Sequence, residues 1–416
     1  MGREMKDSGI AWVGKIPATW DVERGKNILQ KLDRPVKDDD GVITCFRDGE
    51  VTLRSNRRED GFTISLQEAG YQGIEPGDLV VHGMDGFAGA IGVSDSRGKA
   101  TPVLNVLDST QSKEYIMFYL RNMAYTGVFL SLATGIRVRS CDTNWNKLKT
   151  LPYIIPSIDE QGKIAYFLKS QCTEIDSVLT RTRASIEEYK KLKQAVITQA
   201  VTKGIHKGVE MASSKREWIR AYPKHWKEIR IKWLLDERKE HSTEGREEPL
   251  SMSQKYGLIP TKEMDMVPNM AASFVGAKLA YKGDLVFNKL KAHLGVFAVS
   301  AYDGLVSPDY AVYYATGLAN MKYLEYLFKT PQYIAEFKKK STGVGAGLTR
   351  LYTAGLYSIY CALPPLDEQK EIADYLDRTC SEIDTLIAKK EQYLVELENY
   401  KKSLIYEYVT GKKEVR

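Results

Sequence analysis

Ile16-Pro17-Ala18-Thr19-Trp20 returns later in the chain as Tyr222-Pro223-Lys224-His225-Trp226, with the prolines and tryptophans 206 residues apart. Gly77-Asp78-Leu79-Val80 returns as Gly283-Asp284-Leu285-Val286 at the same offset, and Pro102 answers Pro308. Further on, Ile158-Asp159-Glu160-Gln161 is matched by Leu366-Asp367-Glu368-Gln369. Cys172 to Asp176 is matched by Cys380 to Asp384, and Val201-Thr202 by Val409-Thr410, all three at an offset of 208. Six matches in one order mark a tandem duplication, so the 416 residues must build one architecture twice.

Each half divides into a lobe and a tail. The lobes, roughly 1 to 155 and 211 to 362, are rich in Gly, Tyr, Val and turn residues. Short alternating stretches at Asp78 to His82 and Asp284 to Asn288 predict strands, and helices are expected near Ser112 to Arg121 and Ala319 to Lys338. The tails, 159 to 203 and 367 to 411, contain no proline, and glycine occurs only near their ends. Asp159 and Asp367 closely follow prolines, as capped helix starts do. Leu376, Ile383, Leu397 and Leu404 lie on a seven-residue grid, with Leu386, Tyr393 and Tyr400 three residues after grid points. Leu168, Ile175, Tyr189 and Val196 repeat the grid in the first tail, with Val178 and Leu192 as partners. That spacing predicts a coiled-coil seam, with Thr182 and Lys390 as its weak central positions. The expected fold class is α+β: two similar α/β lobes separated by two long antiparallel coiled-coil helices, related by a pseudo-two-fold internal repeat. The expected domains are 1–155, 156–210, 211–362 and 363–416.

Composition narrows the function. Lys+Arg 60 against Asp+Glu 54 gives +6, a balance that permits nucleic-acid binding without demanding it. No apolar run approaches the roughly 18 to 20 residues that span a bilayer, and the first residues carry no signal core. Five cysteines without a CxxC pair read as reduced thiols in a cytoplasm. There is no phosphate-binding GxxxxGK[ST] loop, no HExxH pair and no Gly-x-Ser-x-Gly elbow, and Gly343, Gly345 and Gly347 match no nucleotide fingerprint. Glu368-Gln369-Lys370 offers the Glu-x-Lys of metal-dependent nucleases, but Gly162 replaces the lysine in the other copy, so the segment reads as helix surface. A chain with no catalytic residue, cofactor or metal of its own is expected. Three function classes compete: a DNA-reading subunit, a two-headed coiled-coil scaffold that binds proteins, and a self-contained nuclease or methyltransferase, which the missing motifs disfavour.

Leu363-Pro364-Pro365-Leu366-Asp367-Glu368-Gln369, followed by Ile372-Ala373 and Ile383-Asp384, decides among them. With the first copy Ile155-Pro156-Ser157-Ile158-Asp159-Glu160-Gln161 and the Pro-x-x-Trp openings of both lobes, the chain resembles the specificity subunits of Type I restriction-modification enzymes over essentially its whole length. The resemblance implies that each lobe is a target recognition domain reading one half of a bipartite, asymmetric DNA sequence. It also implies helices that act as a ruler and dock two methyltransferase subunits. S-adenosylmethionine would then sit in the methyltransferase partners, and ATP and Mg in restriction subunits joined through them.

Phosphate contacts need Lys and Arg; base contacts need Arg, Lys, Asn, Gln or hydroxyls on loops that enter a groove. In lobe one the candidates are Arg47, Arg54, Asn56, Arg57 and Arg58, then His82 after the Gly-Asp-Leu-Val strand, then Arg137, Arg139 and Asn144. In lobe two Gln254, Lys255 and Tyr256 stand where Arg47 stands in lobe one. Lys289, Lys291 and His293 follow the second Gly-Asp-Leu-Val strand, and Ser341, Thr342 and Arg350 flank a glycine-rich segment. A solvated basic hairpin would carry many of the same residues. Trp20 and Trp226 read as framework residues of the core.

Overall fold

The computed structural model describes residues 3–57, 69–131, 143–254, 256–266, 273–343 and 349–415. The fold mixes α and β structure, and the chain divides into two compact units, residues 1–183 with 391–416 and residues 184–390.

The centre of the first unit is a four-stranded antiparallel sheet in the order Leu29–Lys31, Leu104–Ser109, Leu79–His82, Ile91–Val93. Its third strand, from the Gly-Asp-Leu-Val motif, is apolar on both faces because both faces are covered. Leu79 and Val81 join one core with the helix Lys113–Tyr125, while Val80 joins another with Ile43, Val51 and Ile74 from two small two-stranded sheets. The second unit repeats the plan with Leu235–Glu237, Tyr310–Ala315, Leu285–Asn288 and Phe297–Val299. Leu285 and Phe287 face helices there, and Val286 faces Leu250, Leu258 and Val306. Alternation with period two sends successive side chains to the two cores.

The motif's Gly and Asp form the turn into this strand. Gly77 and Gly283 take positive φ, 86° and 94°, where a side chain would be strained. Asp78 then accepts the Glu75 N–H at 2.8 Å and pairs with Arg34, and Asp284 accepts the Tyr281 N–H at 2.9 Å and Arg238 Nε at 2.7 Å. The strands expected at Asp78 to His82 and Asp284 to Asn288 are thus present. The helix expected over Ala319 to Lys338 is two, Met321–Phe328 and Pro331–Lys340, because Pro331 cannot continue the first and begins the second.

Two long helices, Ile158–Lys203 and Leu366–Val409, each contribute to both units. Within the first unit they run antiparallel: Asp176 pairs with Lys401 at 2.7 Å and Arg183 with Glu398 at 2.6 Å. Within the second, Lys193 pairs with Asp384 at 2.6 Å, the repeat-mate of the Asp176 pair. The grid residues Leu168, Ile175, Leu376, Ile383 and Leu404 are buried as expected. Their expected partners are not: Leu192, Leu386, Tyr393 and Tyr400 are 48%, 42%, 46% and 53% exposed. The second buried position lies four residues after the grid, at Cys172, Leu179, Ile186 and Cys380. A spacing of four after grid points gives the alternating three-four steps that keep one stripe facing inward.

The family-like strings tie lobe to helix. Trp20 is fully buried, and its Nε1 donates to Glu160 at 2.9 Å, with Arg3 also on Glu160. Trp226 Nε1 donates to Glu368 at 3.1 Å, with His225 on the same carboxylate at 2.7 Å. The neighbouring glutamines are fully buried. Gln161 accepts the Ser112 N–H at 2.9 Å and donates to Pro156 O at 2.9 Å, and Gln369 accepts the Asn320 N–H at 2.8 Å and donates to Leu318 O and Pro364 O. The helix-surface reading of Glu368-Gln369 is therefore corrected: only Lys370 of the three is exposed, and the other two close the joint between lobe and helix. At the far helix ends, Tyr115 OH donates to Val409 O at 3.2 Å and Tyr323 OH to Val201 O at 3.1 Å. Gly411 closes the first joint, since a Cβ there would lie 2.4 Å from Pro17.

Candidate nucleic-acid interface

In lobe one the hairpin Ile43–Cys45 and Val51–Leu53 turns through Phe46 to Glu50, with Gly49 N–H donating to Phe46 O at 2.9 Å. Arg47 lies on this tip with its side chain 58% exposed, paired with Asp85 at 2.9 Å. Arg57 folds back onto the same tip, bonding Asp48 at 2.5 Å and Glu50 at 3.1 Å and covering the Phe46 ring at 4.1 Å. Burial alone would raise the Asp48 carboxyl, but Arg57 and the Glu50 N–H hold it below the usual carboxylate range. Arg54 reaches Thr44 Oγ1 at 3.4 Å and Asn56 reaches Thr52 Oγ1 at 3.0 Å, so the expected basic cluster is braced against its own hairpin.

The end of the Gly-Asp-Leu-Val strand meets this hairpin. His82 Nδ1 accepts the N–H groups of Met84 and Asp85 at 3.2 and 3.0 Å, and the chain enters the short turn Gly86–Ala88. Burial lowers the His82 imidazole; the Asp85 carboxylate opposes this and Arg47 reinforces it. Thr143 is tied to the same turn, its N–H on Gly83 O at 2.8 Å and its hydroxyl on His82 O at 2.8 Å, while Asn105 Nδ2 bonds Thr143 O at 3.1 Å. Asn144 caps the helix Trp145–Leu148 by accepting the Lys147 N–H at 3.1 Å. Arg58, Arg137 and Arg139 lie outside the described residues, as does Lys255 of lobe two.

Lobe two repeats the gathering with other residues. Its hairpin pairs Leu250–Ser253 with Gly257–Pro260, and Gln254 Nε2 reaches across to Leu294 O at 3.1 Å. Tyr256 OH bonds Asp265 at 3.3 Å. Asn288, at the repeat position of His82, accepts the N–H groups of Leu290 and Lys291 at 3.1 and 3.3 Å. Lys291 is exposed at the head of the turn Ala292–Leu294, in which His293 is half-buried with Nδ1 enclosed and unbonded. Lys289 O accepts the Leu351 N–H at 3.0 Å, and Thr342 and Arg350 exchange backbone bonds at 3.0 and 2.9 Å. Arg350 pairs with Asp309 at 3.2 Å. The Ser341 hydroxyl donates to Phe337 O at 2.7 Å.

Three sequence-separated clusters thus converge in each lobe: the hairpin tip, the strand-end turn, and described residues further along the chain, Thr143 in lobe one and Thr342, Arg350 and Leu351 in lobe two. Sequence reasoning missed Asp85, Asn105, Thr143, Asn288 and Asp309. Asn288 was open to discovery, because carrying the 206-residue offset two positions past the motif aligns it with His82. The others act through partners far away in sequence. Among the described residues, no group of three or more His, Cys, Asp or Glu side chains could hold a metal ion, and no helix is long and apolar enough to cross a membrane.

The two units thus share one α/β framework and differ in the polar residues its loops carry. Residues 268–396 match the family model of the Type I restriction modification DNA specificity domain. A Methanocaldococcus jannaschii protein provisionally named the type I restriction enzyme MjaX specificity subunit is 24% identical over 430 residues, covering 97% of this chain and 96% of that one. The MjaVIII specificity subunit of the same organism is 22% identical over 63% of this chain and 62% of its own length. Two solved structures share the fold. One is a chain from work on complex assembly and conformational transition of the type I R-M system, with TM-score 0.69 and 14% identity, covering 96% of this chain and 99% of that one. The other is the HsdS subunit from Thermoanaerobacter tengcongensis, with TM-score 0.53 and 15% identity over 96% and 98%. Within residues 268–396 the chain carries a match to that DNA specificity domain, and over nearly its whole length it is similar to a specificity subunit of a Type I restriction-modification system.

Proposed function

We propose that this chain is the DNA-reading subunit of a Type I restriction-modification complex, each lobe reading one half of a bipartite, asymmetric target. The observation that carries this reading is the unlike loops on a like framework. Arg47, His82 and Asp85 in lobe one are replaced by Gln254, Asn288 and Lys291 at corresponding places of the repeat in lobe two. Unlike readers imply unlike half-sites; identical lobes would favour a palindrome. Residues 1–155 and 211–362 act as recognition domains, and 156–210 and 363–416 as the helical regions that set the spacer and dock two methyltransferase subunits. Restriction subunits join through that complex. The chain itself performs no catalysis and works in the cytoplasm; S-adenosylmethionine belongs to the methyltransferase partners, ATP and Mg to the restriction partners. Arg47, Arg54, Asn56, Arg57, Arg58, His82, Arg137, Arg139 and Asn144 supply the lobe-one contacts. Gln254, Lys255, Tyr256, Lys289, Lys291, His293, Ser341, Thr342 and Arg350 supply those of lobe two. Two half-sites on one face of a duplex lie about 34 Å apart per helical turn. The test is methylation mapping of DNA from a host expressing this chain with its partner subunits. A split motif of two different halves is expected, and methylation without sequence preference would overturn the reading.

A further inference from the structure

Both lobes end the Gly-Asp-Leu-Val strand on a side chain that curls back to accept two backbone N–H groups. Lobe two uses the Asn288 amide oxygen, and lobe one uses His82 Nδ1. A ring nitrogen that accepts carries no proton, so neutral His82 keeps its proton on Nε2. That nitrogen makes no hydrogen bond to a described residue and is not among the enclosed unbonded atoms, so the turn presents an N–H outward. Three residues on, the Asp85 carboxylate gives one oxygen to Arg47 at 2.9 Å and remains 31% exposed. The turn is held rigidly: Thr143 Oγ1 donates to His82 O at 2.8 Å, and Asn105 Nδ2 to Val81 O at 3.3 Å. A Cβ on Gly86 would lie 2.5 Å from Thr143 Oγ1.

We propose that His82 and Asp85 form a donor and acceptor pair that reads an adenine edge in the lobe-one half-site, His82 giving its Nε2–H to N7 and Asp85 accepting from the N6 amino group. This assignment rests on the DNA-reading function proposed above. The neutral ring brings no charge to a phosphate, and the cation beside it, Arg47, already has its charge paired with the Asp85 carboxylate. An adenine in the major groove sets an acceptor directly beside a donor, whereas guanine shows two acceptors there. Rigid anchoring suits base readout, which depends on fixed geometry more than phosphate attraction does.

The experiment uses the assembled complex with its methyltransferase subunits and the target found by methylation mapping. Competition binding is measured with duplexes changed singly at each lobe-one position, for the unaltered chain, His82→Asn and Asp85→Asn. His82→Asn preserves the turn, as Asn288 does in lobe two, but its remaining donor, the Nδ2 amide, sits closer to the backbone than Nε2 and cannot reach the position of the ring N–H. Both variants should lose roughly three- to tenfold discrimination at one and the same A·T pair and keep every other position and the lobe-two half-site. Equal weakening on all duplexes, a relaxed G·C pair, unchanged discrimination, or wholesale loss of lobe-one specificity in His82→Asn would each overturn the assignment. An unaltered complex with no target preference would remove the DNA-reading function itself and this assignment with it.

Discussion

Gln369 carries the joint between the second lobe and its helix with three hydrogen bonds from a fully buried amide. Gln369→Leu keeps the volume but leaves the Asn320 N–H and two carbonyls without partners, so it should cost about 2 to 3 kcal/mol in denaturant unfolding. Lys370→Ala, one residue on and exposed, should stay within about 0.5 kcal/mol. A fall of similar size in both would contradict the assignment of the joint to the glutamine. His82 gives a pH dependence with a defined sign. Its imidazole is lowered in the fold, so the unfolded chain takes up the proton more readily. The stability that depends on the neutral ring is complete above about pH 6.5 and is lost as pH falls below it. Thermal melts between pH 7.5 and 5 should therefore show a shallower acid-side decline for His82→Asn than for the unaltered chain; equal slopes would contradict this. At this scale the sequence was partly legible. Trp20 and Trp226 read correctly as framework, but Glu-Gln-Lys looked like helix surface because its partners, Trp226 and Asn320, lie far away along the chain. Local pattern cannot report such contacts.

Long helices were legible as elements because the tails lack proline and keep a seven-residue grid. They start at Ile158 and Leu366, one residue before the aspartates that mark them. Their seam was half legible. Apolar letters three residues after the grid, such as Tyr393 and Tyr400, suggested the second seam position, while the inward positions four residues after it include Lys193 and Lys401. Those lysines reach Asp384 and Asp176, which lets a charged residue occupy the inner stripe and hides the pattern from a reading of apolar letters alone. Leu404→Ala, at a grid position 5% exposed, should therefore cost about 2 to 5 kcal/mol. Tyr400→Ser should change the stability of the isolated chain by less than about 0.5 kcal/mol. Urea unfolding of the two variants separates the assignments, and a larger loss for Tyr400→Ser would restore the spacing of three.

At the scale of the whole chain, the duplication made the repetition of one mixed α and β plan legible in the sequence. Gly-Asp turns, Pro-x-x-Trp clamps and buried glutamines recur at matching places in the two units because each copy solves the same packing problem. Loop conformations were not legible, since unlike residues serve one role, as His82 and Asn288 do. In the proposed assembly the helices set the distance between half-sites. Inserting four residues near Thr182 adds about 6 Å of rise and turns the distal part by roughly 400°, close to a whole turn, so methylation mapping should find unchanged half-sites with a longer spacer. An unaltered spacer in a well-folded variant would show that this helix does not set the distance. The claim that each lobe reads alone is tested most directly by replacing residues 1–155 with the corresponding lobe of a related subunit and mapping methylation in a host that supplies the partners. One half-site should change while the other, read by residues 211–362, stays the same; a change in both, or in neither, would contradict independent reading by the two lobes.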